Sequence, residues 1–221
     1  MTPLQRVVLF DLDGTLIDSA PDLAAAANAM RLARNMEALP LSSLRPMVGS
    51  GARGMVATAL GVHPGDARFE SLRQEFLDRY QCALLNLTTV FADMAPVLDR
   101  LDAAGTRWGV VTNKAERFAL PVIDGLNLGA RAAVVICGDT TPHSKPHPAP
   151  LLEAARLVAV DPEQCAFVGD DLRDVQAGRA AGMVTLAAAW GYLGQGESID
   201  AWGAHAVLSH PGALLQWLQV A

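Results

Sequence analysis

Asp11 and Asp13 stand two residues apart, directly after the apolar run Val7–Phe10. Burying one carboxylate is costly, and two like charges together are worse unless a cation or a reaction requires them. Three further acids, Asp170, Asp171 and Asp174, follow a second apolar run at 165–169. Thr112 and Asn113 end a third run, and Lys145 sits in the proline-rich stretch GDTTPHSKPHPAP. Carboxylates from distant segments are tolerable around a hard divalent cation, and Mg2+ favours carboxylate oxygens, waters and phosphate.

These side chains need elements to position them. Six short β-branched runs, at 6–10, 108–112, 132–136, 165–169, 183–187 and 204–208, are almost wholly apolar. That is the pattern of strands covered on both faces. Helical patterns separate them. APVLDRLDAAG places Val97, Leu98, Leu101 and Ala104 on one face, with Gly105 as the C′ residue. PAPLLEAARLVAV does the same with Leu151, Leu152, Ala155 and Val158, and the closing SHPGALLQWLQVA with Leu214, Leu215 and Leu218. The alternation predicts parallel βαβ units in an open, Rossmann-like α/β sheet. Ligands of such sheets bind at the carboxyl ends of the strands, where the residues above would converge.

One stretch breaks the rhythm. Roughly ninety residues without a convincing strand separate the first run from the second, far more than a βα crossover needs. SAPDLAAAANAMRLARNM repeats Leu23, Ala26, Ala27 and Met30 at helical spacing, and ARGMVATAL and FESLRQEFLDRYQCALL predict two more helices. The expectation is a helical insert over 18–87, spliced into a core made of 1–17 and 88–221. GSGARG (49–54) satisfies a dinucleotide-binding pattern, but Pro46 precedes it where that motif requires a strand. It reads better as a glycine-rich loop of the insert, whose backbone at Gly51 and guanidinium at Arg53 reach over the site to meet a carboxylate.

Composition narrows the partners. Seventeen basic against twenty-three acidic residues leave a formal charge of −6, so no basic surface offers itself to nucleic acid or anionic lipid. Cys82, Cys137 and Cys165 form no CxxC pair, and the N-terminus carries no signal-peptide pattern. Reduced thiols in a cytoplasmic protein are expected. The longest uncharged stretch, 180–196, is interrupted by four glycines and is too short and polar to span a bilayer. His143 and His147 flank Lys145 and are expected to be exposed loop residues.

Taken in order, Asp11-x-Asp13-Gly14-Thr15, Thr112-Asn113, Lys145-Pro146 and Gly169-Asp170-Asp171-x-x-Asp174 resemble the four motifs of the haloacid dehalogenase-like superfamily. The helical insert resembles its C1-type cap, and the resemblance spans essentially the whole chain. It implies a Mg2+-dependent phosphomonoester hydrolase. Asp11 would be the nucleophile, forming an aspartyl-phosphate, and Asp13 would protonate the leaving oxygen and then activate water. An acid at the Asp13 position implies phosphoryl transfer rather than dehalogenation, because a halide needs no proton. The metal would be held by the Asp11 carboxylate, the Asp13 backbone carbonyl and Asp170, with Asp171 or Asp174 acting through water. Thr112, Asn113 and Lys145 would hold phosphate oxygens.

Within that superfamily, VVTNK, SKPHPAPLL and VGSGA resemble the phosphoglycolate phosphatase group. GARGMVATAL, WGVVTNK, FVGDDLRDVQAGR and WGAHAVLSHP are similar to N-acetylmuramic acid 6-phosphate phosphatases. Both implied substrates are small phosphate esters bearing a carboxylate, with 2-phosphoglycolate the first expectation. Phosphosugar mutases of the β-phosphoglucomutase type share this core and cap and form the alternative of another class. No nucleic-acid or membrane partner is expected, and the oligomeric state, monomer or dimer, is left open.

Overall fold

The structure is a computed structural model that describes residues 6–194 and 196–220. The first five positions of the expected core segment and residues 195 and 221, the last of them closing the C-terminal helical pattern, lie outside the described residues. β1 (Val7–Phe10) is followed by a two-residue strand, β2 (Ile17–Asp18), and by α1 (Ala20–Leu32). Then come α2 (Leu41–Leu44), a 3-10 turn at Arg45–Ser50, α3 (Gly51–Leu60), α4 (Phe69–Gln81) and β3 (Thr89–Val90). The chain continues through α5 (Ala95–Ala103), β4 (Arg107–Val111), α6 (Glu116–Gly125), β5 (Val135–Ile136) and α7 (Ala149–Leu157). It closes with β6 (Cys165–Gly169), α8 (Leu172–Ala180), β7 (Val184–Ala188), β8 (Ala206–Leu208) and α9 (Ala213–Leu218).

Six strands form one parallel sheet in the order β5-β4-β1-β6-β7-β8. β1 is central, and its four residues are fully buried because each face of the sheet is covered. Val8 and Phe10 join one cluster with Leu98 and Leu101 of α5 and Val122 and Ile123 of α6. Val7 and Leu9 join the opposite cluster with Leu151 and Ala155 of α7 and Ala177 of α8. Each aliphatic or aromatic side chain so buried contributes about 1.5–3 kcal/mol. This double covering is why the strands are apolar throughout rather than alternating.

Two face assignments need correction. Ala104 is exposed, because α5 ends one residue earlier and Ala104 is its cap, with Gly105 following at φ 67°. Leu152 is 41 % exposed on the outer side of α7, one position away from buried Leu151. Leu215 and Leu218 are half-buried, whereas Leu214 is wholly buried.

Helices α1 to α4 pack around their own cluster, in which Leu23, Ala26, Ala27 and Met30 of α1 meet Met55, Val56 and Phe76. The chain leaves and re-enters the sheet region through β2 and β3, which pair antiparallel, Ile17 with Val90 and Asp18 with Thr89. Asp22, 1 % exposed, ties the two crossings together. Its carboxylate accepts the N–H groups of Leu87 and Thr88 and the Thr88 hydroxyl at 2.7–3.0 Å. Phe118 and Tyr192 pack into the helical cluster from the sheet side. Among the described residues, no helix is long and apolar enough to cross a membrane.

Candidate active site

The ends of β1, β4 and β6 bring the first groups together. The Asp11 N–H donates to Val168 O at 2.9 Å, extending the β1–β6 pairing by one residue and fixing where the carboxylate emerges. The chain then turns at Gly14 with φ 90°, where a Cβ would lie 2.2 Å from Asp170 Oδ2. Only glycine lets the backbone pass Asp170 at that conformation. Thr15 Oγ1 donates to Asp170 Oδ1 at 3.0 Å and the Tyr192 N–H to Oδ2 at 2.8 Å. Asp170 is therefore aimed by neutral donors on both oxygens.

Asp11, Asp170 and Asp174 each offer a carboxylate oxygen within 4.8 Å of the others, and Asp170 and Asp174 are buried. Lys145 lies in their midst, its Nζ 2.8 Å from Asp11 Oδ1, from Asp174 Oδ1 and from Val111 O. Burial raises Asp170 well above the ordinary carboxylate range, and the charges of Asp11 and Asp174 add to it. Burial likewise pushes Asp174 up to about 7, against the pull of Lys145. Burial alone would lower the Lys145 ammonium, but Asp11 and Asp174 outweigh it and hold it above the usual lysine value. Three acids around one ammonium could not all be ionised without leaving negative charge uncompensated, which is why two of them are raised. An all-oxygen, all-carboxylate donor set of this kind suits a hard divalent cation.

The start of α8 separates two acids the sequence left as alternatives. Asp171 caps the helix, accepting the Arg173 N–H at 2.9 Å, while Asp174 accepts the Asp171 N–H at 3.1 Å, completing a capping box. The Asp174 carboxylate faces the acidic cluster. That of Asp171 faces the Arg173 guanidinium at 2.7 Å, whose hydrogen bonds outweigh burial and hold it below the ordinary value. Arg173 also donates to the Gly49 carbonyl, fastening the glycine-rich loop to the start of α8.

Thr112 is buried at the end of β4 and its hydroxyl accepts the Lys114 N–H at 3.1 Å. The Asn113 side chain is occupied. Its Nδ2 donates to Lys145 O and its Oδ1 accepts the Lys145 N–H, both at 2.9 Å, so it positions the Lys145 backbone. Asp13 does not face the other acids. Its carboxylate accepts the Ser19 hydroxyl and lies 2.9 Å from Lys114 Nζ. Lys114, absent from the residues picked out by sequence, also touches the Tyr80 hydroxyl of α4 at 2.7 Å. Its position directly after Thr112 and Asn113 at a strand end was the available signal.

A cavity of about 600 Å³ lies between the strand ends and the helical insert. Asp11, Asp13, Lys145 and Asp170 line its floor, and Gly51, Arg53 and Phe76 its roof. Gly51 opens α3 at φ 60°. Arg53 is exposed at the cavity, with no carboxylate partner among the described residues. His143 and His147 are exposed outside it, their rings 4.3 Å apart.

Residues 5–182 match the family model of haloacid dehalogenase-like hydrolases. The chain belongs to that family. Among curated relatives of this haloacid dehalogenase-like hydrolase, the N-acetylmuramic acid 6-phosphate phosphatase of Pseudomonas putida is 44% identical over 93% of this chain and 92% of its own. The phosphoglycolate phosphatase of Xanthomonas campestris pv. campestris is 46% identical over 95% and 94%. A solved structure described as a predicted phosphoglycolate phosphatase from Haemophilus somnus 129pt superposes with a TM-score of 0.85, covering 98% of this chain and 99% of that one. At 24% identity it speaks for the fold alone. The open parallel sheet expected from the strand pattern is thus the fold of this hydrolase family.

Proposed function

We propose that this hydrolase is a Mg2+-dependent phosphatase acting on a small acidic phosphate ester, with 2-phosphoglycolate as its first substrate. The observation that carries the reading is Asp11, held at one oxygen by buried Lys145 beside the acidic cluster, with Asp13 two residues on at the same cavity. Mg2+, held by the Asp11 and Asp170 carboxylates and the Asp13 backbone carbonyl, with Asp174 or Asp171 reached through water, would neutralise the phosphoryl oxygens and orient them.

Every other part belongs to the chain itself. An Asp11 oxygen forms a bond to phosphorus as the ester P–O bond breaks, and Asp13 gives its proton to the departing oxygen. Asp13 then takes a proton from water, whose oxygen bonds to phosphorus, and the acyl-phosphate bond breaks to free Asp11 and inorganic phosphate. Lys145, the Thr112 hydroxyl and the Asn113 backbone N–H hold the phosphate oxygens. Gly51 and Arg53 face the organic part of the substrate. Residues 18–87 act as a cap over a core of 1–17 and 88–221, and its closure excludes water during transfer. Three unpaired thiols, two of them buried, support a reducing, cytoplasmic location.

A second reading, N-acetylmuramic acid 6-phosphate as the substrate, is favoured by the cavity, whose 600 Å³ lies in the range that encloses ligands far larger than a two-carbon ester. A phosphate-release assay with Mg2+ over both esters tests the proposal. Turnover that is lost on chelation supports it. Absence of phosphate from either ester, or isomerisation of a sugar phosphate without release, counts against it.

A further inference from the structure

The mechanism above leaves one buried cation without a part. Lys114 follows the strand end that carries Thr112 and Asn113, and its side chain is only 8% exposed. Its Nζ lies 2.9 and 3.3 Å from the two Asp13 oxygens and 2.7 Å from the Tyr80 hydroxyl. An ammonium has three N–H donors. Asp13 and Tyr80 are its two partners, and Lys114 lines the cavity. Three contacts engage its three donors, and the longest of them, 3.3 Å to Asp13 Oδ2, is the one a ligand in the cavity would take over.

We propose that Lys114 determines specificity by binding a carboxylate carried on the carbon next to the ester oxygen, the arrangement of a 2-phosphooxy acid. This rests on the phosphatase reading and deepens it. Asp13, as proton donor, comes within about 2.6–3.2 Å of the leaving oxygen. Nζ is one hydrogen bond beyond Asp13, hence within about 6 Å of that oxygen. A carboxylate two bonds from the ester oxygen falls inside this radius. A carboxylate on the far side of a sugar ring falls outside it and would meet Arg53 at the roof instead. Tyr80, on α4, completes the contact from the insert, so the pocket for the short acid exists only where sheet and insert meet.

The test uses the full chain with Mg2+ and four esters: 2-phosphoglycolate, 2-hydroxyethyl phosphate, 3-phosphooxypropanoate and N-acetylmuramic acid 6-phosphate. The wild type is expected to favour 2-phosphoglycolate over its equal-sized alcohol analogue by about tenfold to a hundredfold in kcat/KM, the usual worth of a charged hydrogen bond. The acid lengthened by one methylene should fall between them. Lys114→Met removes most of that preference. The ratio is the readout because loss of the Asp13 pairing slows every ester alike. A folded Lys114→Met protein that keeps the preference overturns the proposal. So does a wild type that does not discriminate, or one that prefers N-acetylmuramic acid 6-phosphate, and those wild-type results decide the matter if the variant does not fold. Phosphate release without the preference sinks the Lys114 role alone, whereas no release from any ester sinks the phosphatase reading beneath it.

Discussion

The floor and the roof of the cavity are built by opposite rules. On the floor, Lys145, Asp170 and Asp174 are buried, and each is held by two or more partners on strand ends or a helix start. On the roof, Gly51 and Arg53 are exposed, and Arg53 has no ion-pair partner among the described residues. A reaction common to every substrate benefits from groups fixed before binding, since reorganisation then costs nothing at the transition state. A group that discriminates among substrates benefits from a partner that only the right substrate supplies. On the proposed function, chemistry then belongs to the floor and selection to the roof, with Lys114 at the seam between them.

The sharpest way to break that division is at the nucleophile. Asp11→Asn should lower phosphate release by at least about ten-thousandfold while circular dichroism stays native, because an amide cannot form the acyl-phosphate. Turnover near the wild-type rate would remove Asp11 from the chemistry. Lys145→Met comes next, with an expected loss of about a hundredfold to a thousandfold in kcat. It should also lower unfolding stability by about 3–5 kcal/mol in urea titrations, because two carboxylates lose their buried partner together. A variant that loses activity without losing stability would mean the floor is less tightly interlocked than its contacts imply.

The same contrast governs what was legible in the sequence. All six sheet strands were visible because central strands covered on both faces are uninterruptedly apolar, as Val7–Phe10 is. α6 was not, because Pro121 lies inside it and masks the apolar set Phe118, Ala119, Val122 and Ile123. The two-residue strands β2 and β3 are too short to carry a period, and only their pairing across the insert defines them. Asp11, Asp13, Lys145 and Asp170 could be picked out because strand ends converge by topology. The contacts that Lys114, Thr15 and Tyr192 make with Asp13 and Asp170 could not be read there, because they depend on how the folded chain directs each group rather than on spacing. The different surroundings of Asp171 and Asp174 likewise depend on the capping geometry of α8, which spacing alone does not reveal.

At the roof the expected effects are smaller. Arg53→Ala should raise KM about fivefold to tenfold for carboxylate-bearing esters, and less for p-nitrophenyl phosphate, as befits one exposed guanidinium contact. Equal effects on both substrate types in steady-state assays would detach Arg53 from carboxylate recognition.

The smallest effect sharpens the comparison by reading the floor without turnover. Burial holds Asp170 above the ordinary carboxylate range and Asp174 at about 7. A carboxyl raised on folding favours the native state most below its unfolded value of about 3.9, and that contribution disappears as pH rises through the folded value. Metal-free protein should therefore lose stability between pH 5 and pH 8 on account of these acids. Lys145, raised rather than lowered, stays charged throughout that window and does not move it. Mg2+ competes with protons for the same oxygens, so its stabilisation must grow in the opposite direction. At ten times the dissociation constant it should raise the melting temperature by roughly 3–6 °C at pH 8, and by clearly less at pH 5. Arg53→Ala should leave this shift in place, because the roof does not touch the cluster. A shift of equal size at both pH values would mean that the ion binds away from Asp170 and Asp174, and the floor would then have to be explained without it.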